Sequence, residues 1–259
     1  WWVFDADGAR TRQQEASQAS GLPVQRTLTL PGGVELPLRL IPADEFGMGS
    51  PRSEFERSGE EYLHPVSLSQ PYYVAEKELT RAQWHAVAGG PAPAAGTQTL
   101  PVVKRSWREV METLLPALQQ HAPEGLVFRL PTEAEWEYAC RAGRPTPYYT
   151  GTTEDDLVKA GWCSLNSEQQ LQTGGKLAPN AFGLYDMHGN AAEWCADVYA
   201  RDYYLSAPET DPRNQEDEGQ YRVIRGGGWV NLPHHCRSAY RSYAHPENRY
   251  DFLGIRLVL

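Results

Sequence analysis

Lysine and methionine are scarce in this chain, and no apolar run has the length that a bilayer requires. No stretch approaches the ~18 consecutive apolar residues of a membrane-spanning helix, so no span is expected within these 259 residues. Basic charge is in deficit: 24 Lys and Arg stand against 33 Asp and Glu, for a net charge of −9. That balance argues against nucleic acid as a partner, because binding to phosphates needs a basic face that releases counterions. Cysteine occurs at Cys140, Cys163, Cys195 and Cys236 only, with no CxxC pair, so a structural zinc site is not expected. A chain of this length does not need disulfides to fold, and the four thiols are read as reduced and buried. Internal repeats and low-complexity segments are absent. Twenty arginines against four lysines fit GC-rich coding, and arginine's rigid donor fork suits it to anchoring loop carbonyls and carboxylates. Thermal robustness is expected from the same composition.

What is present is a core-forming 41% of hydrophobic residues, together with 23 Gly and 20 Pro spread along the chain. Many turns and little long helix follow. Residues 1–22 are polar and rich in Gln, Ala and Ser, and read as a helix or linker from a truncated upstream region that ends at Gly21 and Pro23. The first residue is Trp1 rather than Met, so an upstream domain or signal stays open. Residues 23–259 read as one domain. Leu28–Leu30 and Val34–Ile41 alternate around Pro31-Gly-Gly33 as a hairpin, and Val66–Val74 reads as a further strand. Thr80/Gln83, Ser106/Glu109 and Thr132/Glu135 each have the spacing of a capping box, which predicts a helix behind each. Behind the third, Trp136, Tyr138 and Ala139 supply an apolar face, and Gly143 with Pro145 stops the helix. Ile255–Leu259 reads as a closing strand. The fold class is α+β, with few helices, short twisted sheets and much ordered loop.

The motifs along this frame are specific. Phe46-Gly-Met-Gly-Ser50, His64-Pro-Val66, Glu78-Leu-Thr80 and Gln83-Trp84 are followed by Arg129-Leu-Pro-Thr-Glu-Ala-Glu-Trp-Glu-Tyr138. Asn180-Ala-Phe-Gly-Leu-Tyr-Asp-Met-His-Gly-Asn190, Glu193-Trp194, Arg225-Gly-Gly-Gly-Trp229 and Gly254-Ile-Arg256 come next. Taken in order, they resemble the formylglycine-generating-enzyme, or sulfatase-modifying factor, family over residues 35–259. The resemblance implies a C-type-lectin-like fold of the formylglycine-generating type. Enzymes of that family oxidise a substrate cysteine with a cysteine pair in the C-terminal block and a copper ion, and soft thiolates suit Cu(I). Here Asn231 stands where the first cysteine is expected, and Cys236 is the one thiol in the block. No catalytic residue is therefore assigned, and no cofactor is required.

The block Cys236-Arg-Ser-Ala-Tyr-Arg-Ser-Tyr-Ala-His-Pro-Glu-Asn-Arg249, closing with Leu253-Gly-Ile-Arg256, is similar to the variable region of diversity-generating-retroelement variable proteins. Those segments are rewritten at adenines, usually in AAC codons, and a codon ending in C cannot encode Lys, Gln, Glu, Met or Trp. From Val230 to Phe252 only Glu247 belongs to that set, inside a Pro-Glu-Asn-Arg element that reads as framework. Five of the 24 residues from Trp229 to Phe252 are Trp, Tyr or Phe, against 11% in the whole chain. Rigid rings beside small polar neighbours are the composition of a binding surface. The expected display set within segment 230–252 is Val230, Asn231, Leu232, His234, His235, Tyr240, Ser242, Tyr243, Ala244, His245, Tyr250, Asp251 and Phe252, with Trp229 in the core. The expected function is a non-enzymatic display module of a bacterium or phage, binding a variable protein or cell-surface ligand. Its compartment stays open between cytoplasm, cell surface and virion. The alternatives are a formylglycine-type cysteine oxidase and a structural module tethered to an upstream effector domain.

Smaller signals have blander readings. Gly226-Gly-Gly228 lacks the following Gly-Lys-Ser/Thr of a phosphate loop and reads as a tight turn. His234-His235-Cys236 does not read as a metal site, since neighbours on an extended chain point apart. His188 reads as a loop residue bonded to backbone. Asp186, Gly189, Ala191 and Glu193 match the calcium site of the resembled family, and carboxylates with backbone oxygens suit a hard cation. An Asx-type turn with Glu193 paired to an arginine is the alternative. The acidic runs Glu54–Glu61 and Glu209–Glu218 read as solvated loops.

Overall fold

The computed structural model describes residues 3–216 and 220–259. Helix α1 (Ala6–Ser20) starts at Asp5, whose carboxylate accepts from the Gly8 N–H, and ends at Gly21 in the left-handed conformation. It lies on the domain: Ala9 and Gln13 are buried, and the Gln13 amide donates to Leu40 O and Phe182 O. β1 (Gln25–Leu30) and β2 (Val34–Ile41) form the expected hairpin. β3 (Asp44–Met48) pairs antiparallel with β4 (His64–Leu68). β5 (Tyr72–Ala75) pairs with β2. The single strand expected over Val66–Val74 is thus two strands in different sheets. Pro71 offers no N–H to continue a ladder, and Ser69, two residues before it, bonds Asp211 instead.

All three predicted capping boxes form. They open α2 (Arg81–Ala88), α3 (Trp107–Glu109) and, after α4 (Leu115–Gln119), α5 (Glu133–Arg141). Between α3 and α4 the chain widens into a π turn over Val110–Leu114, where Pro116 cannot donate to the carbonyl four residues back. α5 is buried almost all round and stops at Ala142 in the left-handed conformation. A fourth capping box, Thr153/Asp156, opens the short α6 (Glu154–Leu157).

The remaining strands are short. β6 (Gly161–Trp162) pairs parallel with β7 (His188–Gly189). β8 (Ala192–Val198), β9 (Arg222–Arg225), β10 (Ser242–Ala244) and β11 (Leu253–Gly254) form a sheet in the order β10-β9-β8-β11. The closing run Ile255–Leu259 then lies along β5, through Tyr73 N–H to Leu259 O and Ala75 N–H to Leu257 O, at 2.9 Å each. It ties the N-terminal hairpin sheet to the C-terminal sheet. Trp136 and Trp194 are buried in separate apolar clusters, each removing a large apolar area from water. The result is the α+β, C-type-lectin-like architecture, with few helices and long ordered loops.

Candidate functional site

The C-terminal block is pinned by arginines whose partners lie far away in the chain. Arg225, fully buried, ion-pairs with Glu133 and Glu137 of α5 and donates to the carbonyls of Ser238 and Ala239. Arg241 forks onto both oxygens of Glu133, at 2.8 and 3.0 Å. Arg237 binds Glu61 through both terminal nitrogens and also reaches Glu54. Burial pushes the Glu133 and Glu61 carboxyls up, but the guanidiniums overcome it and hold both below the ordinary range. At Glu54 burial wins, and its carboxyl is raised. The run from Glu54 to Glu61 is a solvated loop only in its middle, where Glu56 is exposed: the Glu54 and Glu61 carboxylates at its ends are buried and anchor the block. Glu209 and Glu216 are exposed, whereas Asp217 and Glu218 lie outside the described residues.

Past Ala239, side chains begin to reach outward around the buried Arg241. Ser238 and Ala239 are buried with Arg237 and Arg241, while Tyr240 and Ser242 are half-buried and Tyr243 is 49% exposed. One cleft of about 260 Å³ is lined by Asn231, His235, Tyr240, Ser242, Tyr243, Tyr250 and Phe252 from the predicted set. Ala192, Ile224, Arg225 and Gly227 of the scaffold form the rest of its lining. Tyr250 and Phe252 stack at 5.2 Å, and His235 packs on Tyr240 at 4.8 Å. Gly227 lets the backbone come this close: it has φ 67°, and a Cβ there would sit 2.7 Å from Cys236 Sγ.

Val230, Leu232, His245 and Asp251 are exposed outside the cleft. His234 is half-buried, with its ring 3.0 Å from Glu56. Ala244 departs from the expected display set. It is buried in the core, where β10 turns its Cβ inward. Trp229 departs in the other direction: it is half-exposed, and its indole N–H donates to Asp251 O. The glycine turn carries its ring past the core edge.

Three contributions to the face have no local signal in the sequence. Tyr199 and Tyr221 pack against Tyr243 at 4.2 and 5.0 Å, although they lie on other segments. The loop after β6 supports the turn from outside, through Ser164 N–H to Asn231 O and Ser167 Oγ to Trp229 O. Cys163, from that loop, joins Cys236 in a small closed cluster with Tyr148 and Leu157. All four cysteines are free and buried. Burial raises the Cys163 and Cys236 thiols, which disfavours the reactive thiolate. Asn231 has a turn role, its Oδ1 accepting from the Gly228 N–H at 2.8 Å.

Of the four residues matched to a calcium site, the two carboxylates are placed as follows. Glu193 is consumed by Arg256, which meets both its oxygens, and by the Trp136 indole N–H at 2.6 Å. That is the arginine-paired alternative. Asp186 accepts from the Gly175 N–H through Oδ2 and keeps Oδ1 unpartnered, with the Glu78 carboxylate nearby across Gly174. Burial raises both the Asp186 and Glu78 carboxyls. No group of three or more His, Cys, Asp or Glu that could hold a metal occurs among the described residues. His188 is bonded to backbone as expected, but it lies fully buried in β7 rather than in a loop. Its Nδ1 pairs with Cys236 O at 2.7 Å, and its Nε2 accepts from the Tyr149 N–H at 3.1 Å.

Comparison with known proteins places this geometry. The sulfatase-modifying factor enzyme 1-like domain matches residues 37–259. Treponema denticola variable protein 1 superposes with a TM-score of 0.79 at 29% identity, over 91% of this chain and 99% of that one. The formylglycine-generating enzyme of Streptomyces coelicolor is 32% identical over 192 residues, 68% of this chain and 57% of that protein. The serine/threonine-protein kinase pkn1 of Chlamydia pneumoniae is 34% identical over 168 residues. That match spans 60% of this chain and only 26% of the kinase.

Proposed function

The chain belongs to the sulfatase-modifying factor family, and from that premise we propose that it is a non-enzymatic display protein, the variable protein of a diversity-generating retroelement. Its ligand is a protein or cell-surface molecule, bound by exchangeable side chains between residues 230 and 252. One observation carries the reading. Buried anchors (Arg225, Arg237, Ser238, Ala239, Arg241) interleave with outward side chains that converge on one aromatic cleft. Exchange of Tyr240, Ser242, Tyr243, Tyr250 or Phe252 alters what the cleft presents and leaves the ion pairs beneath it intact. Tyrosine with small polar neighbours gives large contact area at low entropic cost. The similarity to Treponema denticola variable protein 1 across nearly all of both chains supports the same reading. Sequencing the locus tests it. A near-repeat of the codons for 230–252, differing at adenines and lying beside a reverse-transcriptase gene, is the expected result. A locus without such a repeat overturns the assignment.

A cysteine-oxidase reading draws on a single observation, the presence of Cys163 beside Cys236. Both thiols are enclosed and raised, and the block offers Asn231 where the enzymes carry a cysteine.

A further inference from the structure

A second cleft, of about 530 Å³, opens on the far side of residues 250–252. Tyr250 and Phe252 face the aromatic cleft, while Asp251 faces this one. Its floor and walls are apolar and flat: Trp84, Trp229, Pro91, Pro93 and Val102. Its charge runs against the rest of the molecule. Arg81, His85, Lys104 and Arg105 line it, against the one carboxylate of Asp251, in a chain of net charge −9.

Two of these cations are unpaired: Arg81 and Lys104 have no ion pair or side-chain hydrogen bond among the described residues. Arg105 pairs with Glu109 at 3.4 Å and lies 4.5 Å over the Trp84 ring, while its buried Nε and the His85 Nδ1 have no partner among the described residues. The rim is held in costly backbone: Glu168 and Gln169 are consecutive non-glycine residues in the left-handed region, at φ 55° and 56°. That loop presents Gln169 and Gln170 to the cleft.

We propose that this cleft is a fixed subsite for an oxyanion carried on a flat or aliphatic body, a carboxylate or phosphate group. The anion sits against Arg81 and Lys104, and its apolar body lies against Trp229, Pro91 and Pro93, with the buried edge of Trp84 beneath. Apart from Asp251, its lining lies outside the exchangeable segment, so it provides the same anchor whichever side chains fill the neighbouring cleft. Its failure would leave the display reading standing, because the two rest on different residues.

The test follows the indole N–H signals of Trp84 and Trp229 by NMR in the isotope-labelled full chain. The probes are benzoate, phenyl phosphate and the neutral benzyl alcohol. Benzoate or phenyl phosphate should shift both signals saturably and weaken with added salt, and the tighter of the two identifies the source as carboxylate or phosphate. Benzyl alcohol should bind about tenfold more weakly, and the Arg81→Ala/Lys104→Ala double variant should lose at least about tenfold in affinity for the anion. Lys104→Glu alone, at an exposed position, gives a second reading with little risk to folding. Equal binding of benzyl alcohol, unchanged affinity in the variants, or no saturable shift overturns the proposal.

Discussion

Arg237 meets Glu61 with both terminal nitrogens, at 2.9 and 2.8 Å, across 176 residues of chain. This contact joins the C-terminal block to the loop that follows β3. Both side chains are almost completely buried, so each charge depends on the other. Removing one partner of a buried pair typically costs ~3–5 kcal/mol, because the survivor is left uncompensated. Arg237→Ala should therefore lower unfolding free energy by about that amount in chemical denaturation. A loss under ~1 kcal/mol would place this pair with ordinary surface contacts.

Display and scaffold should separate in a melting experiment. Tyr240, Tyr243 and Tyr250 reach solvent, whereas Trp194 is fully buried and donates its indole N–H to Arg105 O. Exchanging the three tyrosines for serine should cost ~0.5 kcal/mol each or less. Trp194→Ala should cost ~3–5 kcal/mol. A triple variant that melts below the tryptophan variant would make the tyrosines structural and remove the basis of the display reading.

His188 gives the protein an acid-sensitive limb. Burial, opposed by the hydrogen bond to Cys236 O, pushes its pKa down to about 3. The unfolded chain takes up the proton near its ordinary value of ~6.5, so stability falls as pH drops below that value. Glu61 and Glu133, held below the ordinary carboxylate range, lose their contribution further down, below ~4.5. Asp186, Asp197 and Glu78, raised by burial, act in the opposite direction and gain stability over pH 7 to 5, so the His188 contribution is read as a difference between variants. His188→Gln should start lower at neutral pH and fall behind the wild type by less at pH 5 than at pH 7. An unchanged difference would move the acid response to other groups.

The enclosed thiols make a chemical prediction. Incubated with copper and oxygen, the protein should leave the cysteine of a sulfatase-motif peptide intact by mass spectrometry. Oxygen-dependent loss of that cysteine, abolished by Cys236→Ser, would restore the oxidase reading through Cys163 and Cys236.

Local order was legible in the residues themselves. The capping boxes at Thr80, Ser106 and Thr132, the hairpin around Pro31 and the glycine turn at 226–228 all formed, because each depends on atoms only a few residues apart. The interleaved composition after Trp229 also pointed to the aromatic cleft. What the spacing could not show was which side of a surface each residue would occupy. Ala244 is expected outside and lies inside, and Trp229 is expected in the core and lies half-buried at its edge, since both are set by how the block docks. Val66–Val74 looked continuous because apolar alternation does not report a change of sheet.

The sequence by itself determined the family, the α+β class and the helix starts, since these rest on ordered motifs and short-range hydrogen bonding. Tertiary structure alone decided which charges are buried and which rings share a cleft. Glu54–Glu61 reads as a solvated acidic run until Arg237 arrives from the far end of the chain, and Glu193 reads as a calcium ligand until Arg256 occupies both its oxygens. Tyr199 and Tyr221 join Tyr243, and Cys163 joins Cys236, without any signal in the spacing. The physical reason is common to all of them. A side chain's charge state and exposure depend on whatever the fold brings within a few ångströms, and here those partners come from distant parts of the chain.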